Sequence, residues 1–158
     1  MDTFTVPIIV HASAAFLVLV LGPVNIFRPS RDRIHRILGR SWVLLMYVNC
    51  LASFFFGLED GFGFLHLLSV FTVVAVTAGV VMIRRGNLVA HRANMVGSYI
   101  GTLIAFSFAV LAPDRLIWTT AANRPIAMAA SVGALLAVAA AWVVVLKVRW
   151  LGDVASSR

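Results

Sequence analysis

An all-α fold, a bundle of five membrane-spanning helices, is what the sequence predicts, and three observations predict it. Hydrophobic residues make up 61% of the 158-residue chain and charged residues 12%, where soluble domains carry about 25% charge. The apolar residues fall in runs close to the roughly 20 that cross a hydrocarbon core about 30 Å thick. No run alternates apolar with polar residues, as the strands of a membrane barrel must. The formal charge of +7 sits in short clusters between the apolar runs, so the lipid bilayer is the expected partner and nucleic acid is not. The single cysteine, Cys50, has no intramolecular partner and excludes a disulfide scaffold. The length suits one transmembrane domain, residues 1–158.

The spans are expected at about 6–27, 41–57, 64–83, 95–112 and 126–148. The second and fourth are short, and each follows an amphipathic run, Asp32 to Arg40 and Leu88 to Asn94, able to extend the same helix through the headgroups. Between the runs stand ordinary helix-ending residues: Pro29 and Ser30, Gly61 and Gly63, Gly86 and Asn87, Pro113 and Asp114. The first run has no basic segment ahead of it, which marks a span and not a cleaved signal. The fifth is dense in small residues (Ala127, Ala129, Ala130, Gly133, Ala134, Ala137), which let helix backbones approach closely in lipid. It is expected either on the outside of a four-helix core or in a homodimer contact.

Orientation follows from the basic residues of short loops. Eleven lie on one side (Arg28, Arg31, Arg33, Arg36, Arg40, Arg84, Arg85, Arg92, Lys147, Arg149, Arg158) and two, Arg115 and Arg124, on the other. The N-terminus is expected outside and the C-terminus in the cytoplasm, as an odd number of spans requires.

The four histidines are the most informative residues. His11 and His66 lie just inside spans one and three at the outer side. His35 and His91 precede spans two and four at the cytoplasmic side, and each is followed by arginine, Arg36 or Arg92. The separations nearly match, 24 residues from His11 to His35 and 25 from His66 to His91, as a weak internal duplication would leave them. In an up-down-up-down bundle helices one and three are diagonal, as are two and four. His11 and His66 would then face each other across the outer half, and His35 and His91 across the inner half. Diagonal histidines can supply both axial ligands of a haem b iron, and Arg36, Arg40 and Arg92 stand where the carboxylates of an inner haem would need cations. The first reading is an electron-transfer protein passing electrons from a cytoplasmic or quinone donor to an outer acceptor. The second is a non-redox module, an assembly or sensing partner or a small-molecule carrier, with structural histidines hydrogen-bonded to neighbouring helices or to lipid phosphates. A zinc or copper site is disfavoured, because such sites want three or four converging ligands. Cys50 and Met46 are the only soft extras on span two, and Glu59 and Asp60 near the outer layer are adjacent loop acids of the ordinary solvated kind. No Asp or Glu lies inside a span, against proton-coupled transport. No Ser-His-Asp order or phosphate loop marks the chain as an enzyme.

The run His35-Arg36-Ile37-Leu38-Gly39-Arg40-Ser41-Trp42-Val43 resembles the H-R-x-x-G-R-x-(aromatic)-V motif of a bacterial family of small predicted membrane proteins with a domain of unknown function. That family also has histidines early in spans one and three and a second H-R motif, where this chain has His11, His66 and His91-Arg92, with Met95 and Ser98-Tyr99 following. The resemblance covers about residues 8–110. Asn94 stands where the family usually has tryptophan, and Gly97 where it usually has arginine. It implies a multi-pass protein of the bacterial plasma (inner) membrane and supports the histidine set, without an activity. In plan, the two layers are similar to dihaem b-type cytochromes.

Reporter fusions after Arg28, Leu58, Arg85, Asp114 and Arg158 are expected to alternate in, out, in, out, in. A fusion at Leu58 active only in the cytoplasm would overturn this orientation.

Overall fold

The structure is a computed structural model describing residues 5–28, 30–55, 62–111 and 116–156, apart from the side chains of 5, 116, 117, 119, 120, 146 and 149–156. Glu59, Asp60, Asp114, Arg115 and Arg158 lie outside the described residues, as do Pro29, Gly61 and Pro113. The described residues form six helices: α1 (Thr5–Ile26), α2 (Arg33–Ser53), α3 (Phe64–Arg84), α4 (Leu88–Leu111), α5 (Leu116–Asn123) and α6 (Pro125–Ser156). Strands are absent among the described residues. Of these helices four, α1, α3, α4 and α6, are long and apolar enough to cross a membrane.

The helix bounds depart from the expected spans in informative ways. Both amphipathic runs are continuous with the helices they precede, so α2 starts at Arg33 and α4 at Leu88. α2 ends at Ser53, short of the expected residue 57, where the Ser53 hydroxyl donates back to the Cys50 carbonyl at 2.6 Å and the Phe54 amide to Leu51. α5 was not expected from the apolar pattern, which it is too short to mark. α6 continues past residue 148 to Ser156.

Two antiparallel hairpins build the bundle, α1 with α2 and α3 with α4. They join where α2 meets α3 and α1 meets α4, which sets α1 and α3 on one diagonal and α2 and α4 on the other. The turn from α3 to α4 takes three residues, Arg85, Gly86 and Asn87. Gly86 adopts φ +78°, its amide donates to Ile83 and the Asn87 amide to Met82, a left-handed C-terminal cap that favours glycine. Asn87 then caps α4 by accepting from the Ala90 amide at 2.9 Å. At the other hairpin Asp32 caps α2, accepting from the His35 amide at 3.0 Å.

Val18, Leu38, Met46 and Val76 fill the centre, each essentially inaccessible. Hydrogen bonds pin the packing around them. Pro23 lies inside α1 and has no N–H, which frees the Leu19 carbonyl one turn back. The Tyr99 hydroxyl of α4 donates to that carbonyl at 3.2 Å, and beside it the Trp42 indole of α2 donates to the Val18 carbonyl at 3.1 Å. Both contacts need close approach at Gly22, where an added Cβ would meet the Tyr99 ring at 2.6 Å and Trp42 Nε1 at 3.3 Å. α6 lies against α1 and α2. Ala139 is buried there, but Ala129, Ala130, Gly133, Ala134 and Ala137 are exposed. Its small residues surround the helix, so a single packed face covers few of them.

Gly22→Ala is expected to destabilise the fold by about 1–3 kcal/mol through overpacking, despite alanine's better helix propensity. Gly97→Ala, with nothing within 4 Å of the new Cβ, is expected to be neutral or to gain up to about 1 kcal/mol. Unfolding midpoints in mixed micelles would separate the two, and the opposite order would contradict the packing described.

Candidate functional site: two histidine layers

The outer layer forms around the C-terminal turns of α2. His11 of α1 donates from Nδ1 to the Asn49 carbonyl at 2.9 Å. A carbonyl can only accept, so the proton of the neutral ring is on Nδ1 and Nε2 carries a lone pair. His66 of α3 is 7% exposed, with ring centroids of Phe54 and Phe62 at 5.7 and 5.2 Å. Its Nδ1 accepts from the Gly63 amide at 3.3 Å. An amide can only donate, so the neutral His66 ring carries its proton on Nε2, opposite to His11. His11 thus meets α2 at Asn49, and His66 meets Phe54, the residue that caps the C-terminus of α2. Ser53 and Ser69 complete the layer through a 2.9 Å hydroxyl contact, and Cys50 is buried beside them.

The inner layer repeats the pattern. His91 of α4 donates from Nδ1 to the Gly79 carbonyl of α3 at 2.9 Å, the tautomer of His11. His35 accepts at Nδ1 from Arg31 at 3.5 Å and bonds the Asn25 backbone, the tautomer of His66. In the basic turn ahead of the apolar part of α2, His35 is held below its ordinary pKa, first by burial and then by the charges of Arg31 and His91. Arg28 grips Asp32 through both carboxylate oxygens, at 2.6 and 3.1 Å. That hydrogen bond is the main cause holding the Asp32 carboxyl down at about 2, and Asp32 in turn fixes the His35 amide.

The structure thus puts His11 and His66 at one end of the bundle and His35 and His91 at the other. Arg36, Arg40 and Arg92 are exposed, and Arg28 and Arg31 are engaged with the inner layer. Among the described residues no three His, Cys, Asp or Glu converge as metal ligands. A model of one protein family matches residues 8–151. The chain belongs to the family described as predicted membrane protein (DUF2306). The match takes in α5 and most of α6 of this DUF2306 protein, well beyond the 8–110 expected from the motifs. Comparison with curated proteins and with solved structures gave no match.

Two DUF2306 residues were missed by sequence reasoning. Asn49 and Asn25 lend their backbone carbonyls to His11 and His35, and the side-chain Oδ1 of each is buried without a partner among the described residues. The readable signal was an amide side chain within or at the end of an apolar run. A buried acceptor left unmade costs about 1–3 kcal/mol, so both layers hold an unmet demand for a donor.

Because the Asp32 carboxyl lies below its ordinary value, its stabilisation is complete above about pH 4 and is lost as pH falls toward 2. Asp32→Ala is expected to cost about 1 kcal/mol near neutrality, with the difference from wild type shrinking below pH 4. Unfolding in detergent across that range checks it. A difference constant with pH would contradict it.

Proposed function

We propose that this protein crosses the bilayer five times, N-terminus outside and C-terminus in the cytoplasm, and carries electrons through haem b bound by His11 and His66, with His35 and His91 as an inner pair. The observation that carries this reading is the His11 Nδ1 bond to the Asn49 carbonyl. Metal-ligating histidines commonly donate the other ring N–H to a carbonyl, which fixes the tautomer and the ring. His91 on Gly79 repeats it, and the unpaired Asn49 and Asn25 oxygens lie at the same two ends.

Haem iron supplies a one-electron couple tuned by its ligands and burial. For His66 to ligate through Nε2, its proton must move to Nδ1 and the Gly63 cap must open. The loss is one neutral hydrogen bond, about 0.5–1.5 kcal/mol, small beside a metal–imidazole bond. Arg36, Arg40 and Arg92 offer cations to carboxylates at the inner end. Electrons would pass from a cytoplasmic or quinone donor to an outer acceptor. As the second span, α2 offers residues 41–53 to the hydrocarbon, about 20 Å at 1.5 Å per residue, with its arginines snorkelling to the headgroups.

The opposite tautomers of His66 and His35, and a centre already filled by Val18, Leu38, Met46 and Val76, favour a second reading. In it the histidines brace helices of a non-redox module, an assembly or sensing partner or a small-molecule carrier.

The reduced-minus-oxidised spectrum of the detergent-purified protein separates the two. The first reading expects a b-type signal that His11→Ala and His66→Ala each abolish, with the double variant no worse than either. A folded wild-type protein without that signal leaves the bracing reading.

A further inference from the structure

We infer that Gly79 and Gly39 are positioning residues of the inner histidine layer: each lets an asparagine of the facing helix come close enough that a histidine beside the contact reaches a backbone carbonyl across the hairpin. This deepens the two-layer reading and rests on it for what the rings then do, while the positioning itself is read without haem.

Small residues let helix backbones approach closely in lipid, and Gly79 of α3 is buried where α4 crosses it. A Cβ built there would run into Met95 Cε, and would stand 3.0 Å from Asn94 Cβ and 3.6 Å from the His91 carbonyl. Met95 Cε is the far end of a flexible chain and can swing aside. Asn94 Cβ cannot, because it is fixed to the α4 backbone. The rest of that side chain is already folded back along α4, with Nδ2 donating to the Ala90 carbonyl at 2.8 Å. A methyl at residue 79 therefore pushes α3 and α4 apart. His91 lies three residues before Asn94 on the same face of α4, and its Nδ1 donates to the Gly79 carbonyl at 2.9 Å. Nδ1 is attached to the first ring atom, so it reaches a neighbouring backbone only at such close approach.

The first hairpin holds the same three residue types. Gly39 of α2, the glycine of the His35-Arg36-Ile37-Leu38-Gly39-Arg40 run, lies one turn after His35 on the same face. A Cβ there would stand 3.2 Å from Asn25 Nδ2 of α1, and His35 bonds the Asn25 backbone. The glycine of the run thus makes room for the residue that His35 bonds. By contrast, Gly97 and Gly101 have nothing within 4 Å of an added Cβ and position nothing. A ring that donates to a fixed carbonyl has its tautomer and its plane set, which a metal-ligating histidine needs.

Nitrogen NMR of the haem-free full chain, labelled at histidine and held in lipid bilayers, tests the inference, with each ring assigned by substituting its histidine. Gly79→Ala is expected to replace the Nδ1-protonated signal of His91 by that of exchanging tautomers and to leave His35 unchanged. Gly39→Ala is expected to shift the His35 signals and leave His91 unchanged, and Gly97→Ala to move neither. Gly79→Ala combined with Asn94→Gly, which removes the crowding Cβ, is expected to restore the His91 signal. Circular dichroism confirms folding, and should Gly79→Ala alone not fold, the combined variant is expected to fold with His91 bonded. A folded Gly79→Ala protein in which His91 keeps its proton on Nδ1, or a change of all four rings together, would overturn the inference. So would a folded combined variant without the His91 signal. A wild-type protein lacking the b-type spectrum would remove the haem reading and leave these tautomer results standing.

Discussion

A backbone carbonyl in hydrocarbon has no water to turn to, and this constraint organises the structure. Helices in lipid gain little from apolar contact, so packing and interhelical hydrogen bonds decide which faces meet. Among the described residues, side chains that donate to carbonyls of neighbouring helices include His11 to Asn49, Trp42 to Val18, Tyr99 to Leu19, His91 to Gly79, His35 to Asn25 and Trp118 to Val110. They join α1 to α2, α1 to α4, α3 to α4 and α4 to α5. Each is worth about 0.6 kcal/mol on average in a membrane, too little to hold a bundle alone. Their effect is on register, because sliding one helix by a turn would break them together.

The same constraint explains where the histidines sit. The two central ties use Trp42 and Tyr99, whose N–H and O–H have one role in forming them. The ties at the two histidine layers use imidazoles, and a neutral imidazole that donates on one nitrogen keeps a lone pair on the other. Each end pairs such a histidine with one of the opposite tautomer, and each leaves an asparagine oxygen unpaired.

Much of this was legible in the sequence. Long apolar runs gave α1 and α3 nearly to the residue and the start, though not the end, of α6, and Gly86-Asn87 marked the turn between α3 and α4. The start of α2 was harder to read, because Arg33, Arg36 and Arg40 interrupt the apolar pattern while leaving the helix intact. α5 carried no pattern at all. The histidines stood out by residue type and spacing, but the groups they bond to are carbonyls, which every residue has. Pro23 passed unremarked in the apolar run, and the donor that meets the carbonyl it frees at Leu19, Tyr99, lies eighty residues away. The side chains of α6 hid its packed face, since alanines surround the helix and only geometry selects Ala139.

The most direct test of the tautomer pattern is nitrogen NMR of the haem-free protein, labelled at histidine, in lipid bilayers at about pH 8, above the ordinary histidine pKa of about 6.5. Two rings, His11 and His91, are expected to carry the proton on Nδ1, and two, His66 and His35, on Nε2. Four rings in one and the same tautomer would contradict the account.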